Sequence, residues 1–508
     1  MKKEINNFKT FIKEYKIVIA FLFFISLVTY GIKLFQYSIS IDTEVLINTP
    51  MALLKSWIGI NRPVLVFLKG ILGFHPFNVF LAQNITYVFF TSYSIILFYL
   101  FYRMNSQKQK QKWKLLIFGS IILTSAHYIE QLNFTLQSAE IAIMLNVCII
   151  GLLFLNVGIE KRKKLYLFIS TICIALCFGS YQSFVPLYMT LVCLCLFINI
   201  KEKNYKWFSV LEYLKNSFLV FILSLIGYIV IGKLSQMIFS VEPSSYLTNK
   251  IFWFDEPVIV TIKRIIFLII NGYIGAINHK ELFYSFVNTL ALIGMVVYIT
   301  KIIFKNDEKQ KVLKILISFI ILLVPFSLSI LLGNYELYRA QLSLPIVIAF
   351  ICSFINVTNL KNEIEYIFLT LVIVCIGIQY INTNKLLSSD YFRYQEDVNY
   401  ANILYERLSE YDLENKRVVM LGKYMSDNPQ ITLKGETMGH SFFLWDQYEP
   451  TGVGVRAAHF MRTLGYNING NTAEDYKIAM QFESDLEIFP KENSIMEYQD
   501  LVIVKLSE

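Results

Sequence analysis

The apolar stretch IVIAFLFFISLVTYGIKLF, residues 17–35, decides the fold class of this chain. As a helix it is long enough to cross a hydrocarbon core of roughly 30 Å. Lysines are frequent in residues 1–16, and a basic flank favours the cytoplasmic side of a membrane. Large residues continue to the end of the stretch without an A-x-A cleavage pattern. We therefore expect a retained first helix with its amino terminus in the cytoplasm.

The rest of the chain repeats this pattern of apolar runs and short basic patches. Of its 508 residues, 55% are hydrophobic and only 17% are charged, and its mean hydropathy is +0.51. The sequence therefore predicts a polytopic α-helical membrane protein. We assign about eleven transmembrane helices between the basic patches. They are 17–35, 79–101, 115–132, 139–157, 165–181, 183–200, 216–239, 283–303, 315–332, 341–357 and 364–381. An odd count places the tail outside the cell membrane.

Two further apolar segments do not fit as crossings, and a third stretch has the pattern of a surface helix. Pro257 to Asn278 would reverse the side of the next basic patch, so we expect it at the outer interface or as a re-entrant turn. Pro63 to Phe74 is short and contains Lys69. Val45 to Ile58 has apolar residues at helical spacing and predicts an amphipathic helix with Trp57 at headgroup level. These segments would form extracytoplasmic interfacial helices.

The composition changes abruptly after residue 381. We predict a transmembrane domain over residues 1–381 and a small extracytoplasmic α/β domain over residues 382–508. The tail's periodicity predicts helices at 390–412, 455–464 and 472–481 and strands at 417–421 and 501–506.

Two carboxylates, Asp42 and Glu44, follow the first helix within YSISIDTEVLIN, residues 37–48. An acid at a membrane exit is costly unless it faces water or a polar cavity, although a solvated loop would satisfy it. Such a carboxylate can accept a proton from an attacking hydroxyl, while arginine or lysine neutralises a phosphate leaving group. No glycine-rich nucleotide loop occurs, so a transferase would need an anionic donor embedded in the membrane. A sugar on a polyprenyl phosphate has these properties, and we expect no nucleic-acid partner.

A series of short motifs, in order along the chain, resembles the integral-membrane type-II Gtr O-antigen glucosyltransferases. The motifs are SIDTE at 40–44, GINRP at 59–63, GSYQS at 179–183, Tyr338-Arg339 with Pro345, FPKENS at 489–494 and VKLS at 504–507. The resemblance implies a GT-C-like fold in the bacterial cytoplasmic membrane. It also implies transfer of glucose from undecaprenyl-phosphate glucose to a cell-surface glycan on the extracytoplasmic side. A single displacement would invert the anomeric configuration.

The family tends to have adjacent acids after the first helix, whereas Thr43 separates Asp42 from Glu44 here. On an extended segment, residues two apart point to the same side, so both carboxylates could face one cavity. We expect Asp42 to act as the base and Glu44 to position the acceptor or a metal.

The other candidate site residues are basic, aromatic or amide side chains on the outer side. Donor phosphate contacts are expected from Arg62, Lys69 and Arg339, and substrate contacts from Trp57, Glu130, Tyr181, Gln182 and Tyr338. Four of them have a plainer alternative. Arg62 could extend to the interface, Arg339 could pair with Glu336, Tyr181 could be an interfacial anchor and Glu130 could lie in a solvated loop.

Cofactors and partners follow from the same reasoning. The histidines are too scattered for a closed metal site, but a divalent cation (Mg²⁺ or Mn²⁺) held by Asp42, Glu44 and the lipid phosphate is left open. Expected partners are the lipid bilayer, the sugar donor, the glycan acceptor, a flippase and the transferase that makes the donor. Two rival functions are a glycan polymerase or ligase and a non-enzymatic lipid-linked-sugar flippase or transporter.

Overall fold

The structure is a computed structural model that describes residues 2–73, 76–105, 112–246, 250–253, 255–275, 283–305, 308–355 and 362–508. Its first part consists of helices joined by short connections. They are α1 Lys2–Phe35, α2 Thr43–Asn48, α3 Pro50–Gly59, α4 Pro63–Leu72, α5 Val79–Met104, α6 Lys112–Leu123, α7 Ala126–Asn133, α8 Thr135–Lys161, α9 Lys164–Ser180, α10 Phe184–Lys203, α11 Trp207–Phe239, α12 Val258–Ile274, α13 Phe286–Phe304, α14 Lys311–Leu323, α15 Ser327–Leu332, α16 Leu344–Phe354 and α17 Asn362–Leu408.

Among the described residues, eight helical segments are long and apolar enough to cross a membrane. The number rises to nine if α6 and α7, which meet at a bend of 51°, form one broken span. The predicted count of eleven is not confirmed. The difference lies in α9 and α16, whose 17 and 11 residues are short for a crossing. Every residue of α16 is buried, so its apolar sequence reflects packing inside the helix bundle.

The predicted interfacial segments are helical but divided differently. Val45 to Ile58 forms the two helices α2 and α3, because Pro50 begins a new helix directly after Thr49. Within Pro257 to Asn278, the described residues form α12, which exposes Val258 and several other apolar side chains. The remainder of that segment lies outside the described residues.

The tail folds around a four-stranded sheet. Its remaining elements are β1 Arg417–Leu421, α18 Gly454–Thr463, β2 Asn469–Gly470, α19 Ala473–Ala479, β3 Ile495–Tyr498 and β4 Leu501–Lys505. The strand order is β2-β1-β4-β3, with β1 parallel to β2 and β4, and β3 antiparallel to β4. This sheet confirms the strands predicted at 417–421 and 501–506, whereas β2 and β3 were missed.

Both faces of the central strands are covered. Val418 and Met420 pack in one apolar cluster with α18, while Val419 and Leu421 pack in another with Ala479 of α19. This double burial explains the continuous apolar sequence of β1. The predicted boundary between residues 381 and 382 falls inside α17, which continues unbroken from the bundle into the tail.

A network of buried charges fastens the tail to the helix bundle. Asp390 of α17 accepts hydrogen bonds from Lys33 of α1 at 2.7 Å and from Arg393 at 3.0 Å. Arg393 also contacts Asp397, which accepts from the hydroxyl of Ser441 at 2.5 Å. All of these charged side chains are at least nine-tenths buried, and each charge has an opposite neighbour.

Replacement of Asp390 by alanine would leave Lys33 and Arg393 buried beside each other without their shared anion. We expect Asp390→Ala to destabilise the protein by about 3–5 kcal/mol. The measurement is the midpoint of thermal unfolding in detergent micelles. Glu487→Ala is the control, because Glu487 pairs with Lys491 on an exposed surface and such pairs contribute about 0–1 kcal/mol. Equal midpoints for the two variants would contradict the role given to the network.

Candidate active site

Asp42 and Glu44 stand at the turn that connects α1 to α2. Asp42 caps the amino end of α2 with a φ of 70°, in the left-handed region that Asp adopts more readily than most residues. The expectation of an extended segment was wrong, because α2 already begins at Thr43. The two carboxylates nevertheless reach one common partner in the tail.

That partner is Arg456, in the first turn of α18. Its Nη1 atom lies 2.9 Å from Asp42 Oδ1 and 2.5 Å from Glu44 Oε1. Its Nε atom donates to Asp446 Oδ2 at 2.7 Å. One guanidinium therefore joins three carboxylates from two distant parts of the chain. Sequence reasoning missed Arg456, because nothing in a helix 412 residues after Glu44 signals this pairing.

The two predicted catalytic acids differ in their access to solvent. Glu44 is fully buried, and its Oε2 atom has no hydrogen-bond partner in the described part of the chain. Burial raises the pKa of Glu44 to about 8, while the charge of Arg456 opposes the shift. The side chain of Asp42 is 38% exposed. Asp42 is thus the member of the pair that an external molecule can reach.

Arg62 lies in the loop between α3 and α4 and contacts two of the predicted substrate residues. Its Nε donates to Gln182 Oε1 at 2.8 Å, and its guanidinium lies 4.7 Å from the centre of the Tyr181 ring. Gln182 in turn donates to the carbonyl of Ile60 at 2.9 Å. Burial lowers the pKa of Arg62, and the charge of Arg339 acts in the same direction. Arg62 therefore packs against other parts of the protein.

Arg339 lies in a short helical turn, Tyr338–Ala340, and its acidic partner comes from the tail. Its Nη1 atom lies 3.3 Å from Glu436 Oε1, and its guanidinium packs 4.8 Å from the centre of the Phe134 ring. The alternative pairing with Glu336 is wrong. Both oxygens of Glu336 are buried without a hydrogen-bond partner among the described residues, and burial raises its pKa to about 8.

These groups form one electrostatically connected site. The positive charge of Arg339 acts on Asp42, Tyr181 and Glu130 as well as on Glu436. Arg62 and Arg339 also influence each other and the same Tyr181. The structure thus brings together residues that the sequence spreads over almost 400 positions.

Other predicted site residues have protein partners of their own. The ammonium of Lys69 forms a buried ion pair with Glu140 at 2.7 Å, so a phosphate would have to compete with that carboxylate. Trp57 is buried in a small apolar cluster with Leu54 and Leu65. These two residues contribute packing and charge compensation in the structure.

Glu130 and Tyr338 are each held by contacts with other parts of the protein. Glu130 is buried, which contradicts the solvated-loop alternative, and it accepts hydrogen bonds from the Thr437 backbone, the Thr437 hydroxyl and the Met438 backbone. The ring of Tyr338 stacks on Phe283 at 4.1 Å. Glu130 therefore contacts a loop of the tail.

Asp42 and Glu44, the two acids considered for a divalent cation, both contact Arg456. Within the described residues, no group of three or more His, Cys, Asp or Glu side chains is arranged to hold a metal ion. Arg456 already supplies a cation at hydrogen-bond distance from both carboxylates. A divalent ion bound by the pair would have to displace this guanidinium.

The comparison with protein families gives a match to the description Glucosyl transferase GtrII over residues 31–356. The chain belongs to this family. No curated protein matches it. The GtrII match contains every site residue predicted from the sequence, whereas Arg456, Asp446 and Glu436 lie beyond its end.

Membership in the GtrII family, together with the apolar helices, makes this chain a membrane glucosyltransferase. The resemblance inferred from the short motifs is thereby confirmed.

The raised pKa of Glu44 predicts a pH dependence of stability. The pKa of Glu44 in the folded protein, about 8, lies above its ordinary value of 4.5. The contribution of Glu44 to the free energy of unfolding is therefore complete below pH 4.5. It is lost as the pH rises towards 8, with a slope of up to about 1.4 kcal/mol per pH unit. We expect Glu44→Gln to flatten the decline of the unfolding midpoint between pH 5 and 8. Glu410→Gln, at an exposed position, should keep the wild-type profile, and superimposable profiles for all three proteins would contradict the assignment.

Proposed function

We propose that the chain transfers glucose from undecaprenyl-phosphate glucose to a cell-surface glycan on the extracytoplasmic side of the bacterial cytoplasmic membrane. The observation that carries this proposal is that the charge of Arg339 is influenced by a partly exposed acid, Asp42, and acts together with Arg62 on Tyr181. An acid and a phosphate-binding pair are the two requirements of transfer from a sugar phosphate.

The two arginines support an anionic donor. Like charges in a largely buried site repel each other, and an anion bound between them offsets that cost. The planar guanidinium also matches the oxygens of a phosphate better than an ammonium does. Arg62 and Arg339 would hold the phosphate of the lipid as it leaves the sugar.

Asp42 is the proposed base. As the acceptor hydroxyl oxygen forms its bond to the anomeric carbon, the bond from that carbon to the phosphate oxygen breaks, and Asp42 takes the hydroxyl proton. This single displacement inverts the anomeric configuration and leaves undecaprenyl phosphate. Arg456 fixes the orientation of Asp42, and the buried Glu44 holds Arg456 from the other side.

The length of α1 supports an extracytoplasmic site. Its 34 residues extend about 50 Å, enough to separate the basic amino terminus from Asp42 by a whole bilayer. If the lysines of residues 1–16 remain in the cytoplasm, Asp42 and the tail lie on the opposite side.

The acceptor glycan would approach over the tail. Trp445 is half-buried next to Asp446, and Tyr448 is 91% exposed. Aromatic faces beside polar groups suit the alternating apolar and hydroxylated surfaces of sugars. By contrast, Phe442 and Phe443 of the same segment lie in the tail's core. Asp446 links this surface to Asp42 through Arg456.

Asp42→Asn tests the proposed chemistry. Loss of the base should lower the rate of glucose transfer about 10²–10⁴-fold with normal protein levels. The assay is transfer from purified undecaprenyl-phosphate glucose to surface glycan, with Glu410→Gln as the control that retains activity. Full activity of Asp42→Asn would remove Asp42 from the mechanism.

A wild-type protein that moves lipid-linked sugar across vesicles without a covalent product would be a flippase, and one that requires a lipid-diphosphate glycan would be a polymerase or ligase.

Trp445→Ala tests the acceptor surface. Loss of one stacking face should raise the KM for the acceptor glycan about tenfold and leave the KM for the donor unchanged. Steady-state kinetics with each substrate varied in turn separate the two effects. An unchanged acceptor KM would place the acceptor elsewhere.

A further inference from the structure

Glu436 makes a two-point contact with Arg339. Its Oε1 lies 3.3 Å from the guanidinium Nη1, and its Oε2 accepts from the backbone N–H of Arg339 at 3.2 Å. A carboxylate that contacts both a guanidinium and a backbone N–H uses the same donors that bind phosphate oxygens. Neither side chain is fully enclosed, since Arg339 is 18% exposed and Glu436 is 15% exposed.

The segment that carries Glu436, residues 435–439, is held in place from the helix bundle. Glu130 accepts from the backbone N–H groups of Thr437 and Met438, and Asp390 accepts from the N–H of Gly439 at 2.9 Å. Gly439 has a φ of 74°, which disfavours side chains with a Cβ. The position of Glu436 is therefore built into the structure, because buried acids fix the chain on its carboxyl-terminal side.

The surroundings of Arg339 explain why an anion is needed there. Arg62 lies close enough for the two positive charges to act on each other, and Phe134 covers one side of the Arg339 guanidinium with an apolar ring. Without a negative group, this pair would be costly to keep out of water. Glu436 supplies that group from within the chain.

We propose that the Glu436 carboxylate occupies the phosphate position on Arg339 in the donor-free protein and leaves it when the donor binds. This inference rests on the proposed function and adds an internal competitor to it. Donor entry then exchanges one anion for another, so that Arg339 is never left without an anion. Because the donor must displace Glu436, its affinity is weaker than the arginines alone would give. The same competition excludes anions that bind less tightly than the lipid phosphate.

Glu436→Gln is the direct test, because it removes the competing charge and keeps the size of the side chain. The dissociation constant for undecaprenyl phosphate, measured with the full chain in detergent micelles, should fall about three- to tenfold, and the donor KM should fall with it. Merely structural damage would raise both values. Glu410→Gln is the charge-matched control and should leave both unchanged. Glu436→Asp, which keeps the charge but shortens its reach, should give an intermediate affinity and serves if the glutamine variant does not accumulate.

A double variant shows whether the effect passes through Arg339. In an Arg339→Gln background, Glu436→Gln should no longer change the affinity for undecaprenyl phosphate. An equal or weaker affinity of the single Glu436→Gln variant, or a persistent gain in the double variant, overturns the inference and leaves the proposed function intact. A wild-type protein that does not consume undecaprenyl-phosphate glucose overturns both.

Discussion

The structure depends on the neutralisation of buried charge where α17 passes from the helix bundle into the tail. Asp390 collects hydrogen bonds from Lys33, Arg393, Asn133 and the backbone of Gly439. A carboxylate at this depth is tolerated only with such partners, and each of the cations needs the carboxylate in return. The carboxyl ends of α1 and α7 and the tail are therefore held in one arrangement.

This arrangement creates the candidate site, because the tail supplies charges that the bundle lacks. Arg456 of α18 meets Asp42 and Glu44 beyond the end of α1, and Glu436 meets Arg339. The site is a junction between two parts of the chain, with Asp42, Glu44 and Arg339 on the bundle and their counter-charges on the tail. Movement of the tail would change the charges next to Asp42 and Glu44 and next to Arg339.

Sequence reasoning succeeded where local chemistry is sufficient. The apolar runs predicted a helical membrane protein, and the motifs around Asp42, Arg62 and Arg339 indicated the family that the match over residues 31–356 shows. It did not reveal the contacts that packing decides. The eleven-residue α16 reads as a span because protein and lipid are equally apolar, and Lys69 reads as a free cation because its partner Glu140 lies on another helix.

By itself, the sequence determined the fold class, the two central strands of the tail and the acids and arginines of the candidate site, because hydrophobic periodicity and side-chain chemistry are local properties. Only the tertiary structure decided which charges pair. Arg456 with Asp42, Glu436 with Arg339 and Lys33 with Asp390 join residues that are far apart in the sequence. No local pattern encodes these contacts, since each depends on how the tail docks against the helices and on the cost of leaving any buried charge alone.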